Sequence, residues 1–204
     1  MVVPISKADR AAIAAAIRAA EQRTSGQIVC VLARSSSGYS HVGVLWAALA
    51  ALISPWPMII FTELSVQRIF VVQVAVFVAA ALILSWPSVR MALVPRAVRR
   101  ARAHRAAIEQ FFARGLTHTR DRTGVLIFVS LAERYARIVA DEGIAAKVKN
   151  AEWQAAVDAL TAHFRDGRLV EGFVAAIERC GAVLAVHAPP RGAGDELPDR
   201  IYVM

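Results

Sequence analysis

Two stretches of this chain are apolar on every side of a helix, and the segments around them change between helical and strand periods. Ile69 to Trp86 has Gln73 and Ser85 as its only strongly polar members, and at ~1.5 Å rise per residue it approaches the ~30 Å hydrocarbon core of a bilayer. Val42 to Phe61 is as long and carries no charge, and Ser54-Pro55-Trp56-Pro57 interrupts it, which predicts a kinked or tilted span. Joined by Thr62 to Gln67, the two predict a transmembrane helical hairpin within residues 41–88. Helices of a soluble core normally keep a polar stripe, and Val74 to Leu84 has none.

Ahead of the hairpin, Ser6 and Asp9 have the spacing of a capping box and Ile13 and Ile17 recur at i, i+4, so a helix is predicted from Lys7 to Gln22. Thr24-Ser25-Gly26 breaks it. Gln27 to Ala33 then has the length and β-branched content of a buried strand. Beyond the hairpin, Ala103 to Arg114 gathers Ile108, Phe111 and Phe112 on one helical face, and Gly115 ends it. Arg122-Thr123-Gly124 opens a strand from Val125 to Leu131, Ala132-Glu133-Arg134 turns, and Tyr135 to Ala140 returns with period-two alternation. A helical turn at Ile144 to Val148 precedes an amphipathic helix from Glu152 to Gly167 and another from Leu169 to Val186. Pro189-Pro190 stops the last one, and the tail to Met204 is expected to be loosely held.

A strand, a crossover containing a helix and a second strand favour a parallel pair, with the third strand added antiparallel. The fold class is α/β: a small mixed β-sheet flanked by helices, with the two-helix transmembrane hairpin inserted in the crossover. Residues 1–40 and 89–188 form one domain around the insertion at 41–88, and 189–204 are a C-terminal tail. Such an insertion costs little when its ends lie close together.

Charge adds an orientation. The formal net charge is +8, and no acidic residue lies between Glu63 and Glu109, where Arg90, Arg96, Arg99, Arg100, Arg102 and Arg105 crowd the exit of the second span. Lys and Arg beside a membrane end are retained in the cytoplasm. Lys7, Arg10, Arg18, Arg23 and Arg34 agree, so both flanking regions are expected there. The run from Arg90 to Arg105 also suits anionic lipid headgroups, at about 1 kcal/mol per basic residue. Nucleic acid is disfavoured, because no aromatic residue interleaves with the run before Phe111 and no recognition motif accompanies it. Cys30 and Cys180 lack metal-ligand spacing and are expected as reduced, buried residues.

Few residues carry chemistry. Asp141 and Glu142 follow a strand end, where open α/β sheets place ligand sites, and are candidate ligands for Ca²⁺ or Mg²⁺. Asp141 also suits an N-cap for the turn that follows, and that is the favoured reading. Glu133 and Arg134 are the candidate catalytic pair, arginine being suited to phosphate, though such a pair more often forms a solvated turn. No histidine falls in an H-E-x-x-H pattern, no G-x-S-x-G is present, and Gly192-Ala193-Gly194 lacks the strand and helix of a nucleotide loop.

The pairing of Thr24-Ser25-Gly26-Gln27-Ile28-Val29 with Arg122-Thr123-Gly124 and Val125 to Arg134, followed by Val139-Ala140-Asp141-x-Gly143-Ile144 and Trp153, resembles the TPM-domain family. That family includes a thylakoid-lumen phosphatase-like protein linked to photosystem II repair and many bacterial membrane proteins. The ending Glu196-Leu197-Pro198-Asp199 resembles its bacterial membrane-anchored branch. The resemblance implies an α/β/α sandwich, divalent-metal binding, calcium above all, and acid phosphatase activity. Gln27 stands where the family commonly has an acidic residue, and Asp195 where Asn often precedes the ending. The leading expectation is a two-span protein of the bacterial plasma membrane whose cytoplasmic domain is a binding, assembly or quality-control module touching lipid and other membrane proteins. The alternative is a divalent-metal-dependent phosphatase with Asp141 as ligand and Glu133 and Arg134 near the phosphate.

Overall fold

The computed structural model describes residues 5–36, 40–86, 89, 94–190 and 197–204. In chain order the described elements are α1 (Lys7–Glu21), β1 (Gln27–Ala33), α2 (Ser40–Ile53), α3 (Pro55–Phe61), α4 (Val66–Ser85), α5 (Arg96–Ala113), a 3₁₀ turn (Leu116–His118), β2 (Gly124–Ser130), β3 (Tyr135–Ala140), α6 (Glu142–Ala145), α7 (Asn150–Arg165), α8 (Leu169–His187) and β4 (Ile201–Val203). The chain divides into two units, Met1–Ser36 with Arg100–Met204, and Ser37–Arg99.

The first unit is built on a four-stranded sheet of order β3-β2-β1-β4. Strands β1 and β2 are buried along their whole length, as continuous apolar runs require when both faces are covered. They pair in parallel from Gln27 opposite Gly124 to Ala33 opposite Ser130, and β3 returns antiparallel to β2. On one face Ile28, Cys30, Leu32, Val125 and Ile127 pack with Ile13 and Ile17 of α1, Leu160 of α7 and Phe173 and Ile177 of α8. On the other, Val29, Val31, Leu126 and Phe128 meet Ala107 and Phe111 of α5 and Leu116. This is an α/β/α sandwich. The Ser6–Asp9 capping box forms in both directions, at 2.9 and 3.1 Å, and Gly115 closes α5 in the left-handed conformation, φ 73°.

Two expectations are corrected. The end of the chain is not loosely held: Ile201, Tyr202 and Val203 pair in parallel with Cys30, Val31 and Leu32, and the Arg114 guanidinium lies 3.8 Å from the Tyr202 ring centroid. Three residues are too few to reveal a strand by period, whereas the bare edge of β1 supplies the pairing. Helix α5 starts at Arg96 rather than Ala103, because Pro95 suits a helix entry and arginine is a good helix former. Asp195 and Glu196 lie outside the described residues, as does Arg90.

The second unit is a pair of apolar helical segments. Gly43–Phe61 and Val66–Ser85 are each long and apolar enough to cross a membrane. Gly43, Ala47 and Ala51 recur at every fourth position of α2 and are buried; small residues let α2 and α4 approach closely. A Cβ at Gly43 would lie 3.1 Å from the Leu84 carbonyl oxygen. The span is interrupted where the prolines fall, between α2 and α3: Pro55 has no N–H for the Ala51 carbonyl, and Ser54 Oγ donates to that oxygen instead at 2.9 Å.

Candidate functional site

At the C-terminal ends of the two parallel strands lies a buried carboxylate. Glu133 is 6% exposed, so the solvated turn expected there is not what forms. The Ser36 N–H reaches both its oxygens, at 3.1 and 3.2 Å, and Ser35 Oγ stands 3.3 Å from Oε1. Ser36 Oγ donates to Ser130 Oγ at 2.9 Å, and Ser130 Oγ donates to Glu133 Oε2. Pairing beyond the strands positions this cluster: Leu131 and Ala132 donate to the carbonyls of Ala33 and Arg34, both at 3.0 Å. Ser130 is 1% exposed, and its hydroxyl links Ser36 to the Glu133 carboxylate. Sequence reasoning named Glu133 and missed Ser36 and Ser130; the one available signal was a hydroxyl ending an otherwise apolar strand.

Arg134 follows in the left-handed conformation, φ 50°, with its side chain exposed. It borders a cavity of about 710 Å³ that Ser130, Tyr135, Thr161, Phe164 and Arg165 also line. A second cavity, about 440 Å³, runs along the outer side of β3 between Arg100, Arg137, Trp153, Gln154 and Asp158. Arg134, Tyr135, Ala136 and Thr161 line both, so the two cavities adjoin beside the sheet edge and together make up the groove along β3. Among the described residues, four arginines line the two cavities, against the carboxylate of Asp158. Burial, and then Arg137, hold the His104 imidazole below its ordinary pKa.

Asp141 and Glu142 lie at the opposite end of the sheet. Because β3 is antiparallel, its C-terminal end sits beside the start of β2, where the Asp141 N–H donates to the Gly124 carbonyl at 2.9 Å. Asp141 caps α6 by accepting the Glu142 N–H at 2.8 Å. Both its oxygens also face Arg122, at 3.4 Å, and Arg122 Nη1 is 3.4 Å from Glu142. Arg122 reaches them from a left-handed turn, φ 53°. A guanidinium thus occupies the carboxylate that a cation would need, and hard cations take six or more oxygen ligands. Among the described residues no three His, Cys, Asp or Glu side chains gather in one place. The residues here do not fit a calcium or magnesium site.

Gln27, where an acid is common in the resembled family, is buried and has another use: its Oε1 accepts the Leu197 N–H at 3.0 Å, pinning the segment that leads into β4.

The fold thus defines an α/β/α sandwich with a mixed sheet, interrupted in the β1–β2 crossover by two apolar helical segments. Residues 87–183 match the family model of the TPM domain, and the TPM-domain resemblance carried by the strand motifs is thereby shown. The match includes Glu133, Asp141 and the arginines of the β3 groove. Among solved structures, that of the BA42 protein from the psychrophilic bacterium Bizionia argentinensis is similar, with 21% identity and a TM-score of 0.63 over 100% of this chain and 99% of the other. At that identity the likeness concerns the fold. No curated protein matches the chain.

Proposed function

We propose that this protein is a binding or assembly module held at the cytoplasmic face of a bacterial plasma membrane by its two apolar segments. The observation that carries this reading is the outward apolar surface of those segments: Phe61 is 81% exposed, Leu82 68% and Trp56 69%. Each large apolar side chain left in water forgoes about 1.5–3 kcal/mol, so a row of them calls for lipid. Orientation follows from basic residues on both flanks, with Arg68 alone near the connecting loop. Arg96, Arg100 and Arg105 of α5 are each exposed, and basic residues this near an apolar span suit anionic headgroups.

A cysteine at Ser65 should react with an impermeant maleimide in intact cells, and one at Arg10 only after permeabilisation. The native thiols stay silent: both are buried, burial and then Cys180 push Cys30 well up, and burial pushes Cys180 up to about 12. The reverse pattern would overturn the cytoplasmic placement. For the module reading, repeated crosslinking and copurification from native membranes should return the same membrane partner; its consistent absence counts against it.

The phosphatase reading asks Asp141 to work with Glu133 and Arg134. Strand β3 separates them by roughly 20 Å, at ~3.3 Å per residue, so no observation favours it. Calcium, magnesium and manganese are accordingly expected to leave the thermal midpoint of the detergent-purified protein unchanged. A saturable rise, about 2.7 kcal/mol at a hundredfold excess over Kd, that disappears in Asp141→Asn would restore a metal site.

A further inference from the structure

Strand β3 is the outer member of the sheet and carries no strand on its other side among the described residues. Its hydrogen bonding decides which groups are free. The Asp141 N–H bonds to Gly124, and bonded positions alternate along an antiparallel pair, so Val139, Arg137 and Tyr135 turn their backbone toward β2. Ala136, Ile138 and Ala140 turn theirs outward. Ala136 and Ile138 line the groove described above, whose flank is α7 and whose charge comes from Arg100, Arg134, Arg137 and Arg165. The opposite edge is different, since β4 is only three residues long.

We propose that this edge is a docking strip for an extended acidic segment of a partner protein, which adds as a strand beside residues 136–140 while the arginines of the groove hold its carboxylates. Backbone pairing supplies affinity in such strand addition, and side-chain contacts supply selection. Charge complementarity selects the occupant: among the described residues four guanidinium groups and one carboxylate line the groove. An arginine on an edge strand also guards against self-pairing, which one residue, Arg137, achieves. Arg100, Arg134 and Arg165 come from other elements and line the same groove, an arrangement that protection does not need. The proposal rests on the binding-module reading and names the partner chemistry for it.

The test uses the full-length protein in detergent and a short labelled peptide alternating Glu with Val. Fluorescence anisotropy should show saturable binding that weakens with salt and falls about tenfold in Arg134→Glu/Arg137→Glu. Both side chains are exposed, so the variant should fold normally. Ala136→Pro removes an outward N–H without touching the β2 ladder and should also reduce binding. A peptide with Lys for Glu should not bind, nor should an acidic peptide interrupted by proline. Equal binding of the intact and proline-interrupted acidic peptides would overturn strand addition. Binding to phosphatidylserine vesicles through the same arginines, with no peptide binding, would overturn the protein partner in favour of lipid headgroups. Lost peptide binding with the expected cysteine labelling removes the groove and leaves the membrane module; reversed labelling with retained peptide binding does the opposite.

Discussion

Glu133→Ala is expected to cost about 3 kcal/mol and to lower the thermal midpoint by roughly 10 °C. The carboxylate accepts from the Ser36 N–H and from Ser130 Oγ inside the fold, and alanine leaves both donors without their acceptor. Hydrogen bonds to a charged group contribute about 1.5–3 kcal/mol, and a stranded buried donor adds a desolvation cost. The damage has a defined address, because Ser35 and Ser36 are where the chain leaves β1 toward the first apolar segment. Trypsin should therefore cut at Arg34, already exposed, faster in the variant than in the parent at a temperature where both are folded. Glu133→Gln keeps one oxygen for Ser36 and should recover about half the loss. Unchanged proteolysis and an unchanged midpoint in Glu133→Ala would show that the carboxylate does not hold this loop.

Gly143→Ala should be comparably harmful, although alanine is normally the better helix former by about 1 kcal/mol. A Cβ at this position would lie 2.5 Å from the Asp121 carbonyl oxygen and 2.6 Å from that of Arg122. Both obstacles are backbone, so relief requires the 121–122 turn to move, and with it the guanidinium that faces Asp141 and Glu142. Overpacking of this kind costs about 1–3 kcal/mol, and loss of the Arg122 contacts adds to it. Gly167→Ala is the control: nothing lies within 4 Å of its Cβ, and only its φ of 76° opposes the change, at about 1 kcal/mol. Urea unfolding of the two variants separates the cases, and equal midpoints would remove the close-approach argument.

Much of the architecture was legible in the residues because local rules governed it. The all-apolar runs at 42–61 and 69–86, the strands at 27–33 and 125–131 and the turn before Tyr135 each announce themselves by period, length or breaker. A crossover that contains a helix then favours a parallel first pair, as Gln27 opposite Gly124 bears out. The sequence also offered the N-cap use of Asp141 as one of two readings, and the 2.8 Å bond to Glu142 N–H is that cap.

What local pattern does not encode is which distant segments share an edge. Ile201–Val203 becomes a strand only because β1 presents an unpaired side, and Gln27 is useful only because Leu197 arrives beside it. Glu133 is buried because Ser36, 97 residues away, folds over it. The two candidate pairs, Glu133–Arg134 and Asp141–Glu142, look equivalent in sequence, each beside a strand end, yet the antiparallel return of β3 sends them to opposite ends of the sheet. The convergence of Arg100, Arg134, Arg137 and Arg165 on one groove is likewise invisible in the chain. The sequence by itself determined the elements up to α8 and their order, since backbone sterics and side-chain burial act over a few residues; only the tertiary structure decided β4 and the site, since strand pairing, charge and hydrogen bonding act through space.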